Sequence, residues 1–151
     1  MENTIKPYTQ EINTRGDDRG VFVPFLNSTN QLPDATNLMI KRMYYVYNYG
    51  KGVVRGFHFH RKEWKYFIIV NGAAKFVMIN PDKPEEVFTF ISSSRRPNMI
   101  VVPPGFANGW VSLEDETILV CGSTSSFEES VGDDQRMDPY KWGDFWTVKG
   151  R

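Results

Sequence analysis

The chain has 151 residues, about the size of one domain, and its 18 Lys and Arg balance 18 Asp and Glu to a formal net charge of zero. That balance excludes a protein whose overall field draws in nucleic acid or an anionic membrane, and 40% hydrophobic with 24% charged residues excludes a disordered chain. A single cysteine, Cys121, excludes an internal disulfide and a multi-cysteine zinc centre.

The opening residues, Met1 to Pro7, hold no apolar run of the secretory kind, and stretches such as Phe67 to Val70 fall far short of a membrane span. A soluble, cytoplasmic protein is the expectation. Strand patterning then dominates. Val21, Val23 and Phe25 alternate ahead of a polar loop at 27–37. Residues 38–49 read as one long strand, with Leu38, Ile40, Tyr44 and Val46 on one face and Met39, Met43, Tyr45, Tyr47 and Tyr49 on the other. Both faces are apolar enough to need cover. Strands are predicted at 53–59 and 64–70, and Asn71-Gly72 predicts a type I′ hairpin, whose two central residues take positive φ. The return strand spans 73–79, and 86–91, 99–102, 109–113 and 117–121 complete the set. The tail, about 127–151, carries Tyr140, Trp142, Phe145 and Trp146, which predicts a segment folded back onto the strands with room for a short helix. Residues 1–151 thus read as a single all-β domain, a sandwich or barrel.

The two histidines of the chain, His58 and His60, stand at i and i+2 of one predicted strand, so their imidazoles project to one side while Phe57 and Phe59 face the other. The spacing of Gly52, His58, His60 and Gly72 resembles the first motif of the cupins, with Lys65 in the slot of the cupin Glu. Pro103-Pro104-Gly105-Phe106-Ala107-Asn108 resembles the second motif, with Asn108 in the slot of its His. The resemblance implies a cupin-type jelly-roll barrel (double-stranded β-helix). Cupins use those four slots as metal ligands. Here two are lost and one is a cation that repels a divalent ion, so no metal and no other cofactor is expected.

Finer matches resemble the dTDP-4-dehydrorhamnose 3,5-epimerase family. They are Asp18-Arg19-Gly20-Val21-Phe22, Gly52-Val53-Val54-Arg55-Gly56-Phe57-His58, Trp64-Lys65, Pro104-Gly105-Phe106-Ala107-Asn108-Gly109 and Met137-Asp138-Pro139. The resemblance implies a nucleotide-diphosphate sugar as substrate and a homodimer that exchanges N-terminal strands, with no nucleic-acid or membrane partner. Ile40-Lys41-Arg42-Met43-Tyr44-Tyr45-Val46 with Arg55 to Lys62 is similar instead to the nucleotide-sugar 3,4-ketoisomerases. A C3 or C5 epimerase, a 3,4-ketoisomerase and a non-catalytic sugar-binding cupin therefore stay open.

Both enzyme classes remove a proton next to a C4 carbonyl to give an enolate. The epimerase resemblance implies His58 as base, Asp138 as the carboxylate on its other nitrogen, and Lys65 beside the enolate oxygen. It also implies Arg19, Phe22, Arg55, His60 and Asn108 on the substrate, the arginines at the diphosphate. Strict alternation turns Arg55 away from His58, and a bulge at Gly56 is expected to bring them together. The family's acid tyrosine slot, counted from Gly105, falls on Cys121, and Tyr45 and Tyr47 are expected to replace it.

Overall fold

A computed structural model of the chain describes residues 5–26 and 39–151. Two five-stranded antiparallel sheets face each other. The first runs in the order β1 (Tyr8–Glu11), β9 (Asn98–Val102), β6 (Lys65–Asn71), β11 (Thr117–Ser123), β4 (Arg42–Asn48). The second runs β12 (Gln135–Arg136), β5 (Val54–Phe59), β10 (Ala107–Ser112), β7 (Ala73–Asn80), β8 (Lys83–Ser93). A small hairpin, β2 (Arg15–Asp17) with β3 (Gly20–Phe22), stands apart from both. One helix, α1 (Phe127–Asp133), is capped by Ser126, whose side chain accepts from Glu129 N. This is the expected cupin-type barrel.

Alternation explains the layers. Phe67 and Ile69 of β6, Phe76 and Met78 of β7, Trp110 of β10 and Leu119 of β11 point between the sheets and form the main core. Residues of opposite parity are buried too. Tyr66 and Ile68 pack outward against the N-terminal segment, including Ile12 and Phe25. Phe57, Val77 and Ile79 pack outward against Trp142, Phe145 and Trp146, so the aromatic tail does fold onto the barrel. Phe57 lies edge-on to Trp142 with centroids 5.2 Å apart.

Two local expectations change. Gly72 takes φ 80° after β6, but β6 and β7 do not pair: β6 runs between β9 and β11 and β7 between β10 and β8 of the other sheet, so Asn71-Gly72 is a crossover between sheets and not the expected hairpin. A Cβ on Gly72 would sit 2.5 Å from Thr117 Oγ1, so close approach of β11 adds to the demand for glycine. The long strand begins only at Arg42; the polar loop and Leu38 lie outside the described residues. Among the described residues nothing covers its outer face, since Met43, Tyr45 and Tyr49 are exposed, and β4 is the edge of its sheet.

Candidate active site

A cavity of about 270 Å³ lies between the sheets, walled by β4, β6 and β11 on one side and β5 and β10 on the other. Phe127 and Val131 of α1, both exposed, stand along it. Five of the expected residues meet there: Arg55, His58, His60, Lys65 and Asn108. Arg55 joins His58 because β5 is bulged. Asn108 of β10 faces His58 and Trp110 faces Arg55, so Gly109 alone opposes Gly56 and Phe57. Gly56 sits at φ 143° with Gly109 Cα 2.6 Å from where a Cβ would be.

Three expected residues are elsewhere. Arg19 and Phe22 lie on the exposed β2–β3 hairpin, beside a separate cleft, with Arg19 paired to Asp17. Asp138 is exposed, and its carboxylate accepts from Tyr140 N as a turn-forming Asp. The carboxylate at the histidine is Asp134, which follows α1: its Oδ1 is 3.0 Å from His58 Nδ1. That contact fixes Nδ1 as the protonated nitrogen and leaves the Nε2 lone pair free. Burial lowers the His58 pKa from the ordinary histidine value, with Asp134 pulling against it, so the ring is neutral and basic at pH 7. Burial would raise the Asp134 carboxyl, but His58, Arg136 and His60 outweigh it and hold it below the usual range.

Lys65 is buried, and among the described residues its Nζ makes no hydrogen bond or ion pair. Burial lowers its pKa, against the pull of Glu63, Cys121 and Asp134. Asn108 Nδ2 donates to the His58 carbonyl at 3.0 Å, tying β10 to β5. The tyrosine in the cavity is Tyr44, not Tyr45 or Tyr47, which face outward. Burial drives the Tyr44 phenol far above its ordinary pKa, so it stays protonated. Burial also pushes the Cys121 thiol up to about 11, which removes it as a nucleophile. Arg42, Arg55, Lys65 and Arg136 line the cavity beside one carboxylate, Asp134; Arg42 is paired with Glu63 and Arg136 with Asp134.

The side chains do not fit the divalent metal of many cupins. Lys65 brings a cation to the Glu slot, and Asn108 turns its NH₂ onto backbone carbonyls. His60 has carboxylate oxygens near both ring nitrogens, Glu63 Oε2 at 3.0 Å from Nδ1 and Asp134 Oδ1 at 3.4 Å from Nε2. No group of three or more His, Cys, Asp or Glu among the described residues could hold a metal ion.

The dTDP-4-dehydrorhamnose 3,5-epimerase model matches residues 6–140. The chain belongs to that family. Among solved structures it is similar to a 4-keto-6-deoxy sugar epimerase from the novobiocin cluster of Streptomyces spheroides, with a TM-score of 0.81 at 19% identity over 94% of this chain and 75% of that one. The dTDP-4-dehydrorhamnose 3,5-epimerase of Bacillus anthracis gives 0.76 at 23% identity, over 95% and 86%. A 3,4-ketoisomerase of Thermoanaerobacterium thermosaccharolyticum gives 0.72 at 20%, over 89% of each chain. At these identities the likenesses speak to the fold. No curated protein matches in sequence.

Sequence reasoning missed Asp134, Tyr44 and Glu63. Tyr44 was within reach, because it alternates with Val46 on the face opposite the exposed tyrosines. For Asp134 no strand or motif spacing gave a signal.

Proposed function

We propose that this family member inverts C3, C5 or both of a 4-keto-6-deoxy nucleotide-diphosphate sugar, in deoxysugar or polysaccharide biosynthesis in the cytoplasm. Isomerisation of a nucleotide sugar follows from the family, and the observation that carries the mechanism is the His58–Asp134 contact at 3.0 Å. His58 Nε2 takes the proton next to the C4 carbonyl. Negative charge then grows on the carbonyl oxygen, and Lys65, whose Nζ has no hydrogen-bond or ion-pair partner among the described residues, is placed to meet it. Tyr44, protonated by burial, can return a proton to the enolate. Arg42, Arg55 and Arg136 give a diphosphate its counter-charge. Arg19 and Phe22 stand outside this cavity, so their contact with substrate requires a homodimer in which the hairpin reaches the partner's site. The outer face of β4, which no described residue covers, supports such a dimer. Sedimentation as a stable monomer at micromolar concentration would refute it.

A 3,4-ketoisomerase is the second reading, favoured by Tyr44 in the segment that resembles those enzymes. Solvent-deuterium incorporation into a 4-keto-6-deoxy nucleotide sugar, read by NMR, separates them. Label at C3 or C5 with inversion and the carbonyl still at C4 means epimerase, and label at C4 with the carbonyl moved to C3 means ketoisomerase. No label and no turnover in any such sugar leaves the non-catalytic binder.

A further inference from the structure

Behind His58 lies a buried carboxylate that the mechanism does not use. The Glu63 side chain is fully buried, and four groups surround it. Arg42 donates to Oε1 at 3.0 Å, Ser123 Oγ donates to Oε1, Ser130 Oγ donates to Oε2 at 2.8 Å, and His60 Nδ1 is 3.0 Å from Oε2. The His60 contact is bent, so Nδ1 has no linear hydrogen bond. Burial would raise the Glu63 carboxyl, but His60, Ser123 and Lys65 outweigh it and keep it ionised.

Two of those partners lead to Asp134. Ser130 is the buried residue of α1, and Asp134 is the residue that ends that helix. Arg42 also donates to Ser130 Oγ at 3.2 Å, and Asp133 accepts from the backbone of Arg61 and Lys62, so α1 is tied to β4 and to the turn after β5. His60 stands between two carboxylates, Glu63 Oε2 and Asp134 Oδ1. A one-turn shift of α1 would carry Asp134 off His58, and Glu63 is the fully buried charge that meets the helix, at Ser130.

We infer that Glu63 is a positioning residue of the proton-transfer centre: through Ser130 and His60 it holds Asp134 against His58 Nδ1 and so fixes which nitrogen of His58 carries the proton. His60 in this arrangement is a spacer between carboxylates, not a second base facing substrate. The inference rests on His58 as the base.

The test uses ¹⁵N-histidine NMR of the free protein, simple because the chain has two histidines; His58→Gln assigns them. In the wild type, neutral His58 should be the Nδ1–H tautomer. Glu63→Gln keeps the shape but loses the charge, and should give a mixture of His58 tautomers. Its kcat should fall about 10–100-fold, the range for loss of a supporting partner, with KM within about threefold. Ser130→Ala should move the tautomer in the same direction, while Ser123→Ala, which removes a Glu63 partner inside the barrel, should not. That pair of serine variants decides the matter if Glu63→Gln does not fold. A folded Glu63→Gln with the wild-type tautomer and kcat, or equal effects of the two serine variants, would overturn the inference. The tautomer is read without substrate, so failure here and failure of deuterium exchange are separate results.

Discussion

Tyr44 and Cys121 are register partners on neighbouring strands, β4 and β11, the phenol lining the cavity and the thiol fully buried beside that wall. The sequence count had put the cysteine in the family's tyrosine slot. Directly across the ladder from Cys121 stands Tyr44, which lines the cavity and is the acid in the proposed mechanism.

Tyr44→Phe should therefore separate the two proton transfers. Loss of substrate C–H to solvent deuterium should persist at close to the wild-type rate, while net product formation falls by roughly 10²–10⁴, the usual range for a general acid. Equal loss of exchange and turnover would assign Tyr44 to binding or packing instead.

Asp134→Asn should lower kcat by about 10²–10⁴, because the amide can no longer select the Nδ1–H tautomer. Asp134 raises the His58 pKa against burial, so its removal lets the base titrate at lower pH. The acid limb of the activity–pH curve should move to lower pH while the maximum drops. Asp138→Asn should leave both the limb and the maximum unchanged, since its carboxylate serves only a turn. A reversed ranking of the two variants would restore Asp138 to the site.

Much of this site was legible because strands translate sequence into direction with little ambiguity. His58, His60 and Lys65 follow from period-two alternation and motif spacing, and the bulge that rescues Arg55 followed from a glycine between an arginine and the packed Phe57. Asp134 was not legible, because it comes from the end of a helix, and its position depends on tertiary ties at Ser130 and Asp133 that no local pattern encodes. Asp138 came from the epimerase resemblance of Met137-Asp138-Pro139, and an Asp before Pro also marks an ordinary turn, which is what it forms here. Tyr45 and Tyr47 were preferred as a same-face pair, but the cavity takes the other face of the strand. Arg19 and Phe22 share a hairpin that does not line this chain's cavity, a placement their strand pattern did not reveal.

Lys65→Met should trade activity for stability. One positioned donor to a developing oxyanion is worth about 10²–10³ in kcat, and that loss is expected. The wild-type Lys65 is buried with no direct partner among the described residues, so its removal should raise Tm by about 2–4 °C, equivalent to ~1 kcal/mol in a chain of this size. Thermal melts of the two proteins without substrate check this, and a lower Tm would show that Lys65 supports Glu63 and Asp134 in the resting protein.

Gly56→Ala should be among the most damaging single-methyl changes. The new Cβ meets the backbone of Gly109 at 2.6 Å, in a conformation at φ 143° that L residues rarely adopt. A loss of about 2–4 kcal/mol is expected from strain of this kind, measured by urea unfolding. A change under 1 kcal/mol would mean that the bulge can relax.

Prolonged dialysis against a chelator should leave activity intact, given a lysine and a carbonyl-bound asparagine in two ligand slots. Activity that disappears and returns with added zinc, manganese or iron would overturn the metal-free reading.

His58 and Asp134 are separated by 76 positions in the chain, and that distance orders events during synthesis. The strands from β1 to β11 emerge from the ribosome before α1 does, so the walls of the cavity can close while the base still lacks its carboxylate. A nascent chain stalled after β11 should protect its strands from protease yet exchange no substrate hydrogen. The ability to bind a sugar and the ability to act on it would thus be acquired at different moments in the life of one molecule.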